Sequence, residues 1–221
     1  MRVLVTGSGG VIGIVLQERL PYEFTEFDLP DHTVLDLHDV SSAAANHDAI
    51  IHLAWDKRGD DWLSENLNTD NIQGAFHVLE AANQAGVKRV IIASSVHADD
   101  FVGEHIVAPL RPYDLPTPDS PYGANKCMIE ALGRYYAHAK DLEVICIRFG
   151  GVNRDDQPPA SPPSERQVWF SQQDCASLIA SCLQAENIPN GFAIVYGISA
   201  NDGLVQDLSN PFGWEPNDGS T

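Results

Sequence analysis

The sequence predicts an α/β fold, a doubly wound parallel sheet with helices on both of its faces. Two observations lead to this prediction. Short runs rich in β-branched residues alternate with longer stretches of helical periodicity along the 221 residues, and this alternation is typical of βαβ units. A glycine-rich turn also separates the first predicted strand from the first predicted helix. The length of the chain favours a single domain, 1–221.

The first half of the chain alternates short apolar runs with amphipathic stretches. Four runs are predicted as strands: Arg2–Thr6, Tyr22–Asp28, His32–Leu37 and Ala49–Ala54. Helices are predicted at Val11–Leu20, from Asp39 onwards and at Trp62–Ala85. Gly86 follows the last of them, at the position where a left-handed residue often ends a helix.

The second half continues the same alternation up to residue 196. Three further strands are predicted at Arg89–Ser94, Glu143–Phe149 and Phe192–Tyr196, and two helices at Tyr122–His138 and Gln172–Ala185. Residues 153–165 (NRDDQPPASPPSE) are rich in Pro and Asp, which predicts a mobile surface loop. We therefore expect residues 1–150 to form mainly the sheet core and residues 151–221 mainly loops and C-terminal elements on the substrate side.

Composition excludes several classes of partner. The formal net charge is −18 at pH 7, which disfavours nucleic acid because nucleic acid binds clustered Lys and Arg. No apolar run approaches the roughly 20 residues that span a bilayer, and the first residues enter a strand pattern rather than a secretory signal. We expect a cytoplasmic protein with no membrane partner. The acidic, lysine-poor composition fits a halophilic source and an acidic protein from a low-salt cytoplasm equally well.

The cysteines do not indicate a metal site. Cys127, Cys146, Cys175 and Cys182 lie far apart inside periodic segments, without a CxxC pair or a nearby histidine. We therefore expect reduced, buried thiols and no bound metal.

The glycine-rich turn runs from Thr6 to Gly13 (TGSGGVIG). Because it closes a hydrophobic strand and opens a helix, its glycines allow a tight turn, let the backbone approach a pyrophosphate, and pack the helix against the sheet. The helix N-terminus offers unpaired N–H groups to the anion. These features predict a Rossmann-type dinucleotide site, whose contacts are assigned to Gly7, Gly9, Gly10, Val11, Ile12 and Gly13.

An acidic residue at the end of the second predicted strand indicates which dinucleotide binds. Asp28 lies about twenty residues beyond the first glycine, where a carboxylate accepts hydrogen bonds from the adenosine ribose, and it would repel a 2'-phosphate. NAD is therefore expected rather than NADP; the alternative is that Asp28 only caps the turn at Pro30. Asp36 and Leu37 are predicted to contact the adenine, or Asp36 is a solvated turn residue. Three residues at the end of the next buried strand complete the predicted cofactor site: Leu53, Ala54 and Trp55.

The reacting groups are predicted from a YxxxK sequence entering a helix. Tyr122 and Lys126 are four residues apart and so share one helix face. A tyrosine, whose pKa is ordinarily near 10, becomes a useful base beside a lysine ammonium and a positively charged nicotinamide. Ser94 and Ser95 end a predicted strand, at the edge of the sheet where ligands bind in such folds.

These three motifs, TGxxGxxG, a strand-end serine and YxxxK, resemble the extended short-chain dehydrogenase/reductase superfamily, the NAD-dependent epimerases and dehydratases, over nearly the whole chain. The resemblance implies that Ser95 polarises the reacting hydroxyl, that Tyr122 takes its proton, and that Lys126 binds the nicotinamide ribose and lowers the pKa of the tyrosine. It implies that Asn71 supports the site. It also implies a homo-oligomer, a dimer or larger.

A closer similarity is to the uronate dehydrogenase group, which oxidises C1 of a hexuronic acid to a lactone. The similarity is carried by five segments: 94–97 (SSVH), 122–127 (YGANKC), 147–150 (IRFG), 169–171 (WFS) and 196–202 (YGISAND). In that group an arginine before the tryptophan binds the carboxylate of the sugar acid, and Arg166 occupies the matching place. A guanidinium can pair with a carboxylate through two hydrogen bonds.

Two departures from the group leave the sugar open. Val96 replaces an asparagine and Gly151 replaces a serine, which removes two polar contacts and favours a related but different sugar. Lys57 and Arg58 either add positive charge beside the substrate or form a solvated loop pair. His97 either contacts the substrate or packs at the base of a loop. Residues Lys57, Ser95, Val96, His97, Gly151 and Arg166 are therefore the candidate substrate contacts.

The sequence thus predicts an NAD-dependent dehydrogenase that oxidises the C1 hydroxyl of a hexuronic acid or a related aldose. A sugar phosphate and a neutral aldose remain alternative substrates. A sugar-nucleotide epimerase or dehydratase that retains NAD is an alternative enzyme class, and a non-catalytic NAD sensor is a third. The resemblance also implies a shortened C-terminal part, because similar enzymes continue with a further helical segment.

Overall fold

The computed structural model of the protein describes residues 1–58, 63, 65–103 and 106–220. Six parallel strands form one sheet in the order β2-β1-β3-β4-β5-β6. The strands are β1 (Arg2–Thr6), β2 (Glu23–Phe27), β3 (Ala49–His52), β4 (Arg89–Ser95), β5 (Glu143–Phe149) and β6 (Phe192–Gly197). The helices are α1 (Val11–Arg19), α2 (Leu37–Ala44), α3 (Thr69–Ala85), α4 (Pro121–Lys140), α5 (Pro163–Gln167) and α6 (Gln172–Gln184). The predicted fold class is confirmed.

Helices cover both faces of the sheet, which explains why its central strands read as continuous apolar runs. On one face, alternate residues of β1, β3, β4 and β5 pack against α1 and α6, as Val5 and Ile145 do against Leu16 and Leu178. On the other face, the intervening residues pack against α2, α3 and α4. The four cysteines are free thiols, and all except Cys127 are buried.

The prediction of a strand at His32–Leu37 is wrong. Residues 32–36 form turns, and α2 begins at Leu37. Side chains replace the partners that a strand would supply: Asp39 accepts a hydrogen bond from the Thr33 N–H, and Asp36 accepts those of His38 and Asp39. Asx-type caps of this kind compete with strand pairing even inside an apolar run.

Several other boundaries differ from the predictions. The long helix predicted from Trp62 begins at Thr69, where the Asn68 side chain caps it; Trp62 itself lies outside the described residues. Gly86 ends that helix in the left-handed conformation, as predicted. Strand β3 stops at His52, short of Ala54. In the predicted loop 153–165 the last three residues belong to α5, because a proline at its first position favours a helix start.

The carboxyl ends of the strands meet along one edge of the sheet. Thr6 of β1 is in register with His52 of β3, and Ser95 of β4 with Phe149 of β5. Three segments lie at this edge. The glycine turn follows β1, the 3₁₀ turn Val96–Ala98 follows β4, and α4 packs against that 3₁₀ turn. None of the helices formed by the described residues is long and apolar enough to cross a membrane.

Candidate active site

A cavity of about 560 Å³ opens at the carboxyl edge of the sheet. Most of the predicted cofactor contacts line it: Gly7, Gly10, Val11, Ile12, Gly13, Asp28, Leu53, Ala54, Trp55 and Asn71. The predicted substrate contact Lys57 also lines it. Its wall further includes Val34 and Leu35, which the sequence analysis missed because they lie in the run wrongly predicted as a strand. Leu37, a predicted adenine contact, is the first residue of α2 and is not part of this wall.

Two positions of the glycine turn, Gly7 and Gly13, leave no room for a side chain. Gly7 has φ +73°, and a Cβ there would lie 2.6 Å from the backbone nitrogen of Ala54. A Cβ at Gly13 would collide with the carbonyl oxygen of Ser8. Helix α1 starts at Val11 with no side-chain cap from the described residues, so its first N–H groups face the cavity as an anion site. These features fit the pyrophosphate of a dinucleotide.

The Asp28 carboxylate is built into this turn. Its Oδ2 accepts a hydrogen bond of 2.8 Å from the N–H of Gly9, and its Oδ1 accepts one of 2.8 Å from the N–H of Leu29. Asp28 therefore caps the turn before Pro30 and lines the cavity at the same time, so the cap leaves the predicted ribose contact open as a prediction. Asp36, in contrast, caps α2 and is not among the lining residues.

The YxxxK pair lies at the start of α4. Lys126 is 3% exposed, and its Nζ donates a hydrogen bond of 2.8 Å to the carbonyl oxygen of Ala93. The Nζ lies 5.4 Å from the centre of the Tyr122 ring and 3.4 Å from that of the Trp55 indole. The Trp55 and Tyr122 rings meet edge to face at 5.7 Å. Trp55 thus joins the cavity to the predicted reacting pair.

The strand-end segment 95–97 lies next to Tyr122 through His97. Ser95 is 5% exposed, and its Oγ accepts a hydrogen bond of 3.3 Å from the N–H of His97. The His97 ring lies 5.8 Å from the Tyr122 ring, and its Nδ1 lies 2.6 Å from a carboxylate oxygen of Asp119. Val96 packs in a buried apolar cluster with Phe101 and its neighbours, so a substrate contact through Val96 would require that cluster to open.

Asn71 fixes the loop that follows β3. Its amide accepts a hydrogen bond of 2.7 Å from the N–H of Asp56 and donates one of 3.0 Å to the carbonyl of the same residue. The Asp56 side chain pairs with exposed Arg58 at 2.9 Å, and this pair lowers the pKa of the Asp56 carboxyl. Arg58 is thus a loop cation paired with Asp56, and both Lys57 and Arg58 line the cavity.

Gly151 and Arg166 lie on segments that the end of β5 brings together. Gly151 forms a parallel bridge with Trp169, and a Cβ at Gly151 would meet no atom within 4 Å. Arg166 lies in α5, whose backbone is tied down where Asn201 donates to the carbonyl of Gln167. Neither Gly151 nor Arg166 is among the residues that line the 560 Å³ cavity.

A buried polar network lies directly behind the site. Arg148 is 1% exposed; its Nε and Nη2 each donate a hydrogen bond of 2.8 Å to Glu130, and its Nη1 binds Asp99. The Ser94 hydroxyl donates to Glu130 at 2.5 Å, and the Tyr196 hydroxyl donates to Asp99 at 2.5 Å. Although burial opposes its charge, the bonds to Glu130 raise the pKa of Arg148. This network is not among the predicted site residues, and its one signal in the sequence is a charged residue inside the apolar strand EVICIRF.

A second buried polar group lies beside the glycine turn. The Nδ1 of His52 is 2.7 Å from the hydroxyl of Thr6. Burial, with a contribution from the charge of Lys126, lowers the pKa of His52 from 6.5 to about 3. The imidazole is therefore neutral, which limits repulsion of Lys126.

Comparisons with known proteins agree with this geometry. The chain is 29% identical to the NAD-dependent glucose-6-phosphate dehydrogenase of Haloferax volcanii, covering 99% of this chain and 94% of that protein. It is 32% identical to the L-arabinose 1-dehydrogenase (NAD(P)(+)) of the same organism, over 99% and 97% of the two chains. It is 33% identical to the uronate dehydrogenase of Pseudomonas putida, over 99% and 85%.

The same relationship appears in solved structures and in a family model. A mutant uronate dehydrogenase from Agrobacterium tumefaciens, complexed with NAD, superimposes with a TM-score of 0.84 at 29% identity, covering 99% of this chain and 85% of the other. The model of the NAD dependent epimerase/dehydratase family matches residues 3–153, which carry the glycine turn, Ser95, Tyr122 and Lys126. The chain therefore belongs to the NAD dependent epimerase/dehydratase family.

Proposed function

We propose that this protein is an NAD-dependent sugar dehydrogenase that oxidises the C1 hydroxyl of a hexuronic acid or a related aldose to a lactone. The observation that carries the proposal is the position of Trp55, which lines the glycine-lined cavity and contacts both the Tyr122 ring, at 5.7 Å, and the Lys126 Nζ, at 3.4 Å from the centre of its own ring. Relatives at 29–33% identity are dehydrogenases of a sugar phosphate, an aldose and a uronate, which supports the reaction class.

Each reacting residue has a separate task in this proposal. Ser95 hydrogen-bonds the C1 hydroxyl and holds it against the Tyr122 oxygen, and Tyr122 removes the proton as a general base. Lys126 lowers the pKa of the Tyr122 phenol through its charge and binds the nicotinamide ribose. NAD, held at its nicotinamide ribose by Lys126, would supply the hydride acceptor for C1. His97, held by Asp119, contacts the substrate beside Tyr122.

The cofactor contacts follow the cavity wall. The N–H groups of Gly10, Val11, Ile12 and the adjoining glycines hold the pyrophosphate, and Asp28 accepts hydrogen bonds from the adenosine ribose and selects NAD over NADP. Leu53, Ala54 and Trp55 flank the nicotinamide half, and Asn71 supports this wall by fixing Asp56. We assign the adenine contact to Val34 and Leu35, which line the cavity in the loop before α2. Asp36 and Leu37, the adenine contacts predicted from the sequence, follow them directly in the chain but do not line the cavity.

We assign the selection of the sugar to Arg166, Lys57, Val96 and Gly151. We assign the carboxylate of a sugar acid to Arg166, since a guanidinium pairs with a carboxylate through two bonds. Lys57 adds positive charge on the cavity wall, which favours an acidic sugar or a sugar phosphate over a neutral aldose. Val96 and Gly151 supply no polar side-chain contact, so the preferred sugar differs from that of enzymes with asparagine and serine there.

Other features of the protein follow from the sequence and from the resemblance. We propose a cytoplasmic homo-oligomer whose residues 1–150 bind the cofactor and whose residues 151–221 contribute mainly to the substrate side. The net charge of −18 fits an origin in a high-salt cytoplasm and an acidic protein from a low-salt cytoplasm equally well. Sedimentation velocity at low and high salt tests the oligomer, and unfolding on dilution into low salt tests the halophilic origin.

The test of the function is NADH formation by the purified protein with a panel of uronates, aldoses and aldose phosphates. We expect absorbance of NADH with at least one uronate or acidic sugar, and a far weaker signal with NADP. Tyr122→Phe is the matched control, because it removes only the phenolic oxygen. Absence of NADH with every sugar, in a protein shown to bind NAD, would contradict the proposal; NAD that stays tightly bound through purification would favour an epimerase or dehydratase.

A further inference from the structure

The buried network behind the site includes Glu130, which lies on the same helix as Lys126. Lys126 and Glu130 lie four residues apart in α4 and so share one face of the helix. A lysine and a glutamate at this spacing can form an ion pair, which is weaker when the lysine precedes the glutamate, as it does here. Here the Glu130 carboxylate is taken by other partners: Arg148 donates to both of its oxygens, and Ser94 donates to one of them.

We propose that Arg148 is a positioning residue for the dehydrogenase reaction: its two-point grip keeps Glu130 from pairing with Lys126, so that the lysine charge acts on Tyr122. The inference rests on the proposed function, in which Tyr122 is the base. Lys126 is directed elsewhere, with its Nζ 2.8 Å from the carbonyl of Ala93 and over the Trp55 ring. Neither of these contacts is with Glu130, whose carboxylate binds Arg148 and Ser94.

The geometry explains why an arginine suits this task. A guanidinium binds both oxygens of a carboxylate in one plane, and its fork stays fixed where a lysine ammonium would move. The opposite side of the Arg148 guanidinium is held by Asp99, and the Tyr196 hydroxyl lies 3.3 Å from its Nη1. The position of the Arg148 guanidinium is thus fixed by residues of β5, β6 and the end of the 3₁₀ turn, all of which lie outside α4.

Burial makes the competition between the two cations strong. The side chains of Arg148 and Glu130 are 1% and 5% exposed, so water screens their attraction little. Removal of Arg148 would leave a buried carboxylate without its cation, which is costly. The cation one helical turn earlier on the same face is Lys126. We therefore expect Glu130 to turn toward Lys126 when Arg148 is absent.

The negative charge of Glu130, once placed beside Lys126, would disfavour the Tyr122 phenolate. The pKa of the Tyr122 phenol would rise, and the acid limb of kcat/KM would move to higher pH. Other charged or titratable groups face this part of α4 from the elements packed around it, and they are unchanged in the variants below. They are His52 from β3, His97 and Asp99 from the 3₁₀ turn, Cys146 from β5, Tyr196 from β6 and Glu80 from α3.

The experiment compares Arg148→Gln with the double variant Arg148→Gln/Glu130→Gln. We expect the single variant to move the acid limb of kcat/KM upward by about one pH unit, a loss of about tenfold at a pH below the limb. We expect the double variant to return the limb to the wild-type position, since both charges are gone. Arg134→Gln, an equal charge change at an exposed site of the same helix, is the matched control and should leave the limb in place.

A second readout needs no turnover. The ultraviolet difference spectrum between the protein and its Tyr122→Phe variant follows ionisation of the Tyr122 phenol directly, and its midpoint should shift as the acid limb does. This titration tests the inference even if no sugar of the panel is oxidised, so its failure is distinguishable from failure of the proposed function. If Arg148→Gln does not fold, Arg148→Lys replaces it and should give a smaller shift in the same direction.

Two results would overturn the inference. One is a phenol midpoint and an acid limb that stay at the wild-type pH in the folded Arg148 variant. The other is a double variant whose midpoint remains displaced, since this would show that Glu130 does not cause the shift and that Arg148 only maintains the fold.

Discussion

Replacement of Asp28 by asparagine tests the cofactor site, because its carboxylate joins the cavity wall to the glycine turn. The two carboxylate oxygens each accept a backbone hydrogen bond of 2.8 Å, one from Gly9 and one from Leu29. An asparagine amide has only one accepting oxygen. In Asp28→Asn, one of these N–H groups therefore faces an NH2 group, and the ribose loses a charged acceptor.

The magnitude follows from these contacts. A hydrogen bond to a charged group contributes about 1.5–3 kcal/mol, and each 1.4 kcal/mol or so is tenfold in affinity. Loss of one such bond in the complex should raise the Kd for NAD about tenfold to a hundredfold. The Kd for NADP should rise less, because the substitution also removes the repulsion of the 2'-phosphate. The preference for NAD over NADP should therefore shrink.

Titration calorimetry of the wild type and Asp28→Asn with each cofactor measures both effects. Asp31→Asn is the matched control, since Asp31 is exposed, three residues away and absent from the cavity wall. The reasoning would be refuted if Asp28→Asn bound NAD as tightly as the wild type. An equal loss of affinity in Asp31→Asn would also refute it, because the effect would then come from net charge alone.

Three further substitutions test the base, the substrate side and the buried histidine. Tyr122→Phe should lower kcat by about 10² to 10⁴ while the Kd for NAD stays near that of the wild type; steady-state kinetics with calorimetry checks this, and undiminished turnover would exclude Tyr122 as the base. Gly151→Ser places a hydroxyl in open space, so its free energy of unfolding should change by less than about 0.5 kcal/mol while KM for uronates falls; an unchanged KM would remove Gly151 from the substrate site. Because the pKa of His52 is about 3 in the folded protein against 6.5 unfolded, the unfolded chain binds more protons between these values, and stability is lost as pH falls through this window, by about 2 kcal/mol from pH 7 to about pH 5. Urea unfolding across this range should show a smaller loss in His52→Gln than in the wild type, and equal slopes would contradict the assignment.

The sequence predicts most of the sheet because its strands are short apolar runs rich in β-branched residues, and such a run is recognised without knowledge of the rest of the fold. Buried runs such as Ala49–His52 and Glu143–Phe149 have no competing local structure, so their pattern is sufficient. The run His32–Leu37 has the same pattern but contains Asp36, whose carboxylate caps the next helix. Side chains that replace strand partners are not visible in hydrophobic periodicity, and this is why the strand was predicted wrongly.

The candidate site likewise has residues that the sequence predicts and residues that only the tertiary structure reveals. The glycine turn, Asp28, Tyr122 and Lys126 are readable because their chemistry depends on spacing along the chain. The grip of Arg148 on Glu130 is not, since it joins residues 18 apart in sequence through a strand and a helix and is fixed by packing from β6. The placement of Val96 inside an apolar cluster was likewise decided by tertiary packing.

Isotope transfer shows whether the hydride that reduces NAD leaves C1 of a sugar. The protein is incubated with NAD and with uronates, aldoses and aldose phosphates that carry deuterium at C1, and the NADH formed is analysed by mass spectrometry. The proposed reaction requires that deuterium appears in the NADH and that the sugar is recovered as a lactone or its hydrolysed acid. NADH without deuterium, or a sugar recovered with an inverted centre and no net NADH, would contradict it.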